Sequence, residues 1–273
     1  MILINNDSTL RTFLPNAFET IDDEVQLFDK LSPWLKESEE WLKENIVGDC
    51  ISFVDVTSPL YSNMQSFVVA DAFAKAIPSL DLVLTPNGFG IVSTNNIVPA
   101  SKDRVERLIK SLITHKDRMI CVIYHRLSSI NEWHTTEQCN WLAKSLVRNY
   151  HIVLKDDCLD RWSKFLEIRE RFAHWQTHIA NEWISPELLT RLLHESVTRV
   201  STKEAIDVIA DLDSVVNEVL KYDTLNTEAL LDIVHYIRTH SEKFPEWVGS
   251  DTAKLFAEDL FFRNTKNSAG YFF

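Results

Sequence analysis

Glycine is scarce: 5 in 273 residues, at positions 48, 88, 90, 249 and 270. So few glycines leave little room for tight loops or phosphate-cradling turns and favour long helices over sheets. Cysteine is equally sparse. Cys50, Cys121, Cys139 and Cys158 show no metal-finger or redox spacing and read as free buried thiols of a reducing compartment. No run approaches the ~20 apolar residues of a membrane span, and Met1–Asn6 lacks the basic start and apolar core of a signal peptide. A protein made and used in the cytoplasm is expected, with no membrane partner.

Catalytic motifs are also missing. Gly88-Phe-Gly90 imitates the start of a dinucleotide loop, but Ser93 stands where the third glycine belongs. His174, His178 and Glu182 recur every four residues, a spacing that can bind a divalent metal. A zinc-protease helix, however, needs Glu where Trp175 stands, and a polar helix flank is the expected reading. Asp156-Asp157 suits a helix start, and Asp211 and Asp213 do not share a helix face. No nucleophile elbow or P-loop occurs. The expectation is a non-enzymatic protein without a cofactor or a resident metal.

Charge is present but uneven. The net charge is −12; residues 1–100 carry 14 acids and 5 bases, 101–200 carry 13 and 16, and 201–273 carry 13 and 7. Acidic ends argue against general nucleic-acid binding, which needs a concentrated basic face. The basic middle suits an acidic protein partner, such as an acidic end of another copy.

The 8 Trp and 15 Phe suit helix packing and interface anchors. Apolar residues at helical spacing place helices over Thr9–Leu14, Val25–Ile46 (with Pro33 kinking or dividing it and Gly48 closing it), Ser62–Ile77, a segment after Ser101, Thr135–Val147, Leu159–Trp183, a segment from Pro186, Glu204–Tyr222, Thr227–His240 and Asp251–Phe262. Pro86-Asn87-Gly88 between Leu82–Thr85 and Phe89–Ser93 specifies a hairpin with a glycine bulge, Thr85 facing Phe89, Val83 facing Ile91 and Leu82 facing Val92. The expected class is therefore mainly α, multi-helical, in two helical modules, with one β-hairpin (about residues 82–92) in the first. The modules are 1–155 and 156–273, divided near Lys155.

Both hairpin faces are apolar and need cover, from Ile2–Ile4 of the same chain or of a neighbour. The last residues, Tyr271-Phe272-Phe273, either fold back on their own core or dock into another subunit. Leu82, Leu84, Phe89, Ile91, Tyr271, Phe272 and Phe273 are accordingly the candidate interaction residues.

The run from Ala76 to Ser93 (AIPSLDLVLTPNGFGIVS), continuing into Pro99-Ala-Ser-Lys-Asp-Arg-Val105, resembles an uncharacterised protein family of Bacteroides-type gut bacteria and their prophages. The upstream Leu31–Ile46 and the aromatic C-terminus look similar too. Leu31–Ile46 also resembles the first long helix of head–tail connector proteins of tailed phages, small helical subunits that assemble into rings. The likeness covers mainly residues 1–115. It implies a phage structural protein, a connector or head-completion subunit that oligomerises with itself or with other virion-type proteins, in a virion-like assembly. No catalytic residue comes with it. The alternative is a helical binding or regulatory protein of a mobile element.

Overall fold

The computed structural model describes residues 3–14, 27–80, 82–85, 88–91 and 101–257; at 82–85 and 88–91 only the backbone is described. Two compact units are distinguished, Met1–Glu170 with Val197–Arg199 and Arg171–Ser196 with Val200–Phe273. The division falls at Glu170/Arg171, inside a helix, whereas the sequence pattern put a junction near Lys155.

In the first unit, α1 (Asp7–Phe13) is capped by the Asn6 side chain, which accepts from the Thr9 N–H at 2.8 Å. Helix α2 (Leu27–Leu42) runs through Pro33 unbroken and buries Leu31, Leu35, Ser38 and Leu42 on one stripe. Helix α3 (Pro59–Leu80) is buried nearly all round between 64 and 76. It packs against both α2 and α4 (Lys102–Leu127), so it has no wide solvent face. The short helices α5 (Asn131–His134) and α6 (Glu137–Ala143) follow, then a 3-10 turn, Tyr150–Val153. Trp41 stacks on Phe67 at 5.5 Å and meets Trp162 edge-on at 5.0 Å, and Trp162, Trp141, Tyr150 and Phe165 continue the aromatic core.

The expected fold class is corrected to all-α. Helices carry both units, and no β-layer belongs to either core among the described residues. Leu82–Thr85 and Gly88–Ile91 pair only locally, four residues a side, too little to form an independent β element. The register is Leu82–Ile91, Val83–Gly90, Leu84–Phe89 and Thr85–Gly88, one step from the expected one. The reason is that Gly88 joins the pairing opposite Thr85 instead of serving as the bulge.

Helix α7 (Arg161–Ile179) contributes its later residues to the second unit. There α8 (Pro186–Thr198) buries Leu188, Leu189, Leu192 and Leu193. Helices α9 (Lys203–Tyr222) and α10 (Thr227–Thr239) pack together across a short link. Their N-caps are the Thr202 and Asn226 side chains, and Asp223 closes α9 in a left-handed conformation. Two single-turn helices, α11 (Pro245–Val248) and α12 (Asp251–Lys254), end the described chain.

Each unit contains a π-helical turn built to the same plan. Lys43–Val47 ends on Gly48 (φ +68°) and Ala180–Ile184 on Ser185 (φ +78°), each closing residue donating its N–H to the first carbonyl of its turn. A wider turn leaves carbonyls without helical partners. Indole N–H groups reach them from later in the chain: Trp133 donates to the Ile46 carbonyl at 2.9 Å and Trp247 to the Trp183 carbonyl at 3.1 Å.

Candidate functional site

The densest chemistry in the first unit is a buried charge cluster. Asp71 interrupts the most apolar stretch of α3, between Ala70 and Ala72, and Asp117 lies on the inner stripe of α4 with Ile120 and Cys121. A carboxylate in such a place persists only if it is paired and hydrogen-bonded. The Ser38 hydroxyl of α2 donates to Asp71 Oδ2 at 2.7 Å, and Lys75 Nζ reaches the same oxygen at 2.9 Å. Lys116 Nζ of α4 stands 3.4 Å from Asp71 Oδ1 and 4.0 Å from Asp117 Oδ1. Asp117 also accepts from the Tyr150 hydroxyl at 3.1 Å and from Arg161 Nη1 at 2.9 Å. Arg161 Nε donates to the Asp156 carbonyl at 3.0 Å. Lys75 continues outward to Glu37 Oε1 at 2.9 Å.

The electrostatics follow from these contacts. Burial works to raise the Asp71 pKa, but Lys116, Lys75 and Ser38 together outweigh it, and the carboxyl is held below its usual value. Burial would likewise lower the Lys75 pKa, yet its bonds to Asp71 and Glu37 leave it raised. The Tyr150 phenol is pushed upward by burial and by the Asp117 carboxylate it faces, so it stays a donor. All four carboxylate oxygens are engaged from within the unit. The cluster therefore fastens α2, α3, α4, the Tyr150 turn and the start of α7 to one another.

Arg169 has a different role. Its guanidinium lies 4.0 Å over the Trp141 ring and donates to the carbonyls of Trp141 (2.7 Å), Leu142 (3.4 Å) and Val147 (3.0 Å). It thus caps the C-terminal end of α6 with positive charge. Burial lowers its pKa to about 10.

A second feature is the seat of the N-terminal segment. The Leu3 N–H donates to both carboxylate oxygens of Glu39 on α2 at 3.2 Å, and the Leu3 carbonyl accepts from Gln65 Nε2 on α3 at 2.8 Å. Leu3 and Ile4 are 1% and 3% exposed. Alongside lies a cavity of about 450 Å³, lined among others by Ile4, Asn5, Phe28, Leu35, Lys36 and Ile51. Glu39 has a raised pKa, chiefly from burial and despite the Leu3 N–H.

The second unit has a smaller cavity of about 160 Å³, lined by Arg171, Phe172 and Trp175 of α7 and by Val219–Lys221 and Asp223 at the end of α9. The Trp175 indole N–H is buried there without a hydrogen-bond partner among the described residues.

Of the residues singled out from sequence, the side chains of Leu82, Leu84, Phe89 and Ile91 and the whole of Tyr271, Phe272 and Phe273 lie outside what the structure describes. The histidine spacing resolves into separate local bonds: His178 Nδ1 pairs with Glu182 Oε1 at 3.0 Å, and His174 Nδ1 lies 2.9 Å from the Arg171 carbonyl. Among the described residues no group of three or more His, Cys, Asp or Glu is placed to hold a metal ion. Cys50, Cys121 and Cys139 are buried, which raises their thiols to about 12, about 12 and about 11, while Cys158 is half-buried. No described helix is long and apolar enough to cross a membrane.

The charge cluster went unread in the sequence, although a signal existed. One acid amid Val68-Val69-Ala70 and Ala72-Phe73-Ala74 is a buried polar residue in search of partners. Its partners, Lys116 and Ser38, are distant in the chain and carry no local mark.

Neither the curated proteins nor the solved structures contain a match to this chain. Residues 24–142, which run from the approach to α2 as far as α6 and include Asp71, Lys116 and Asp117, match the model of a family of unknown function, DUF6712.

Proposed function

We propose that this chain is a non-enzymatic structural protein of phage or prophage type, a head–tail connector or head-completion subunit that works by oligomerising. The observation that carries the reading is the charge cluster of the first unit. Its carboxylates are spent on fastening helices together, which suits a stiff building block better than a reaction centre. The likeness of Ala76–Val105 and Leu31–Ile46 to prophage and connector proteins supplies the kind of assembly. Light scattering after size separation, with imaging of the same sample, tests it. Oligomers that grow with concentration, or rings, are expected, and the gene should be flanked by portal, capsid and tail genes. A strict monomer at high concentration, flanked by metabolic genes, overturns the reading.

A second reading is a helical binding or regulatory protein that engages an acidic partner. The observation favouring it is the small cavity of the second unit, which Arg171, Lys221 and Asp223 line beside Trp175, whose indole N–H has no hydrogen-bond partner among the described residues. Capture of an acidic protein that is lost as salt rises, and lost in Arg171→Ala, would support it. Capture unaffected by both would reject it.

A further inference from the structure

Residues 3–14 sit on the first unit as a ligand sits on a receptor. Their side chains Leu3, Ile4, Leu10 and Leu14 are buried. At Leu3 the backbone is held by side chains: Glu39 takes the N–H and Gln65 donates to the carbonyl. Farther along, Asp7 Oδ1 accepts the Phe28 N–H at 3.4 Å at the N-terminal end of α2, where a carboxylate is favoured. Asp7 also pairs with Arg11 on its own helix. The arm therefore carries its own recognition elements, and the receptor lies on α2 and α3.

Between Leu14 and Leu27 the chain has twelve further residues, 15–26. Twelve residues reach up to about 40 Å when extended. A stretch of that length lets residues 3–14 reach their own seat or the identical seat of an adjacent copy, with the same contacts in either case. Exchange of an identical element is a low-cost route to assembly, and a head-to-tail exchange generates rings when its rotation closes.

We propose that, in the assembled protein, residues 3–14 of one copy occupy the α2–α3 seat of a second copy, gripped at Leu3 by the neighbour's Glu39 and Gln65 side chains. The occupant is a second copy of this chain because the arm's own sequence fits the seat and twelve intervening residues are long enough for the exchange. This inference rests on the self-association proposed above and specifies its contact.

Two exposed residues lining the same cavity, Asn5 and Lys36, make the test possible. In a background carrying Cys158→Ser, one full-length preparation carries Asn5→Cys and another, differently tagged, carries Lys36→Cys. The two are mixed at high concentration and treated with a short bis-maleimide. A cross-linked species of twice the monomer mass carrying both tags, absent when either preparation is treated alone, is expected. The double variant Asn5→Cys/Lys36→Cys, diluted, reports the in-chain link as a control on geometry and folding. Oligomers by light scattering without the mixed species overturn arm exchange while leaving self-association standing. Monomers under every condition overturn both.

Discussion

The two units share a device and differ in what surrounds it. Each has a π-helical turn closed by a residue at positive φ and capped by a distant indole N–H. In the first unit the closing residue is Gly48, which adopts that backbone readily, and the neighbouring helices are tied by buried charges. In the second it is Ser185, which bears the strain of a side chain at φ +78° and puts that side chain to use. Ser185 is fully buried, and its hydroxyl accepts the Leu188 N–H at 3.2 Å, capping α8. The cores beyond these turns differ too: leucine and valine stripes are what α8, α9 and α10 bury, whereas α2, α3 and α4 are joined in part by ions. Stability in the first unit should therefore depend on charge, and in the second on shape.

The sharpest way to break that contrast is Asp117→Ala. It leaves Arg161, 6% exposed, without its carboxylate and Tyr150 without its acceptor. Removing one member of a buried pair costs about 3–5 kcal/mol. Hydrogen exchange should accelerate across α2, α3 and α4 and change little in α9 and α10. Replacing both partners, Asp117→Leu with Arg161→Met, should recover the part of the loss due to the unpaired Arg161 charge, since an apolar pair needs no counter-charge, while Tyr150 stays without its acceptor.

Asp71→Asn probes the same cluster through pH. The folded pKa of Asp71 lies below its unfolded value. Its contribution to stability is therefore complete above the unfolded pKa, about 4, and disappears as pH falls through the folded one. At neutral pH the variant should be less stable by about 1.5–3 kcal/mol, the scale of hydrogen bonds to a charged group. Urea midpoints of variant and parent should converge below about pH 4. Asp211 of the second unit has the opposite sign. Burial, Asp207 and Asp232 raise its pKa, so its ionisation weakens the fold as pH rises from the unfolded value through the folded one.

Gly48 and Ser185 make a paired test of the shared turn. Gly48→Ala places a Cβ at φ +68° and against the Gln138 side-chain amide, which itself donates to the Glu44 carbonyl. A loss of about 1–3 kcal/mol is expected, the scale of such backbone strain. At Ser185, alanine keeps the strain and removes the cap, costing about 0.5–2 kcal/mol. Glycine removes the cap but relieves the backbone, so thermal melts should rank Ser185→Gly above Ser185→Ala. If alanine and glycine prove equal at Ser185, the strain assigned to that residue is absent.

What was legible in the sequence was what is local. The leucine stripe of α8 and Gly48 as a helix stop both rest on neighbours within a few residues. Ser101 shows the limit even there: it precedes α4 as expected, yet its side chain makes no capping bond. The charge cluster and the grip on Leu3 join residues far apart in the chain (Ser38 with Asp71, Leu3 with Gln65), and no periodicity records such pairings. The expected hairpin shows a third kind of limit. Pro86-Asn87-Gly88 signals a reversal, but a turn signal does not tell whether a β element follows, and here only four residues a side pair locally in an all-α fold.

The smallest effect expected is the most direct check on the contrast between buried and exposed charge. Lys110 and Asp157 meet at 2.5 Å, closer than Lys116 and Asp71 at 3.4 Å, but both belong to exposed side chains. The Asp157 carboxyl is held below its usual pKa by Lys110, yet water screens the pair on every side. Lys110→Ala should leave the denaturation midpoint unchanged within error at physiological salt. Lys116→Ala, which uncovers one oxygen of Asp71 inside the bundle, should lower it clearly. Were the two variants to behave alike, separation in ångströms would matter more than burial, and the cluster would lose its claim to hold the first unit together. Distance alone ranks the exposed pair first; desolvation, which turns an unpaired carboxylate into a liability, ranks it last.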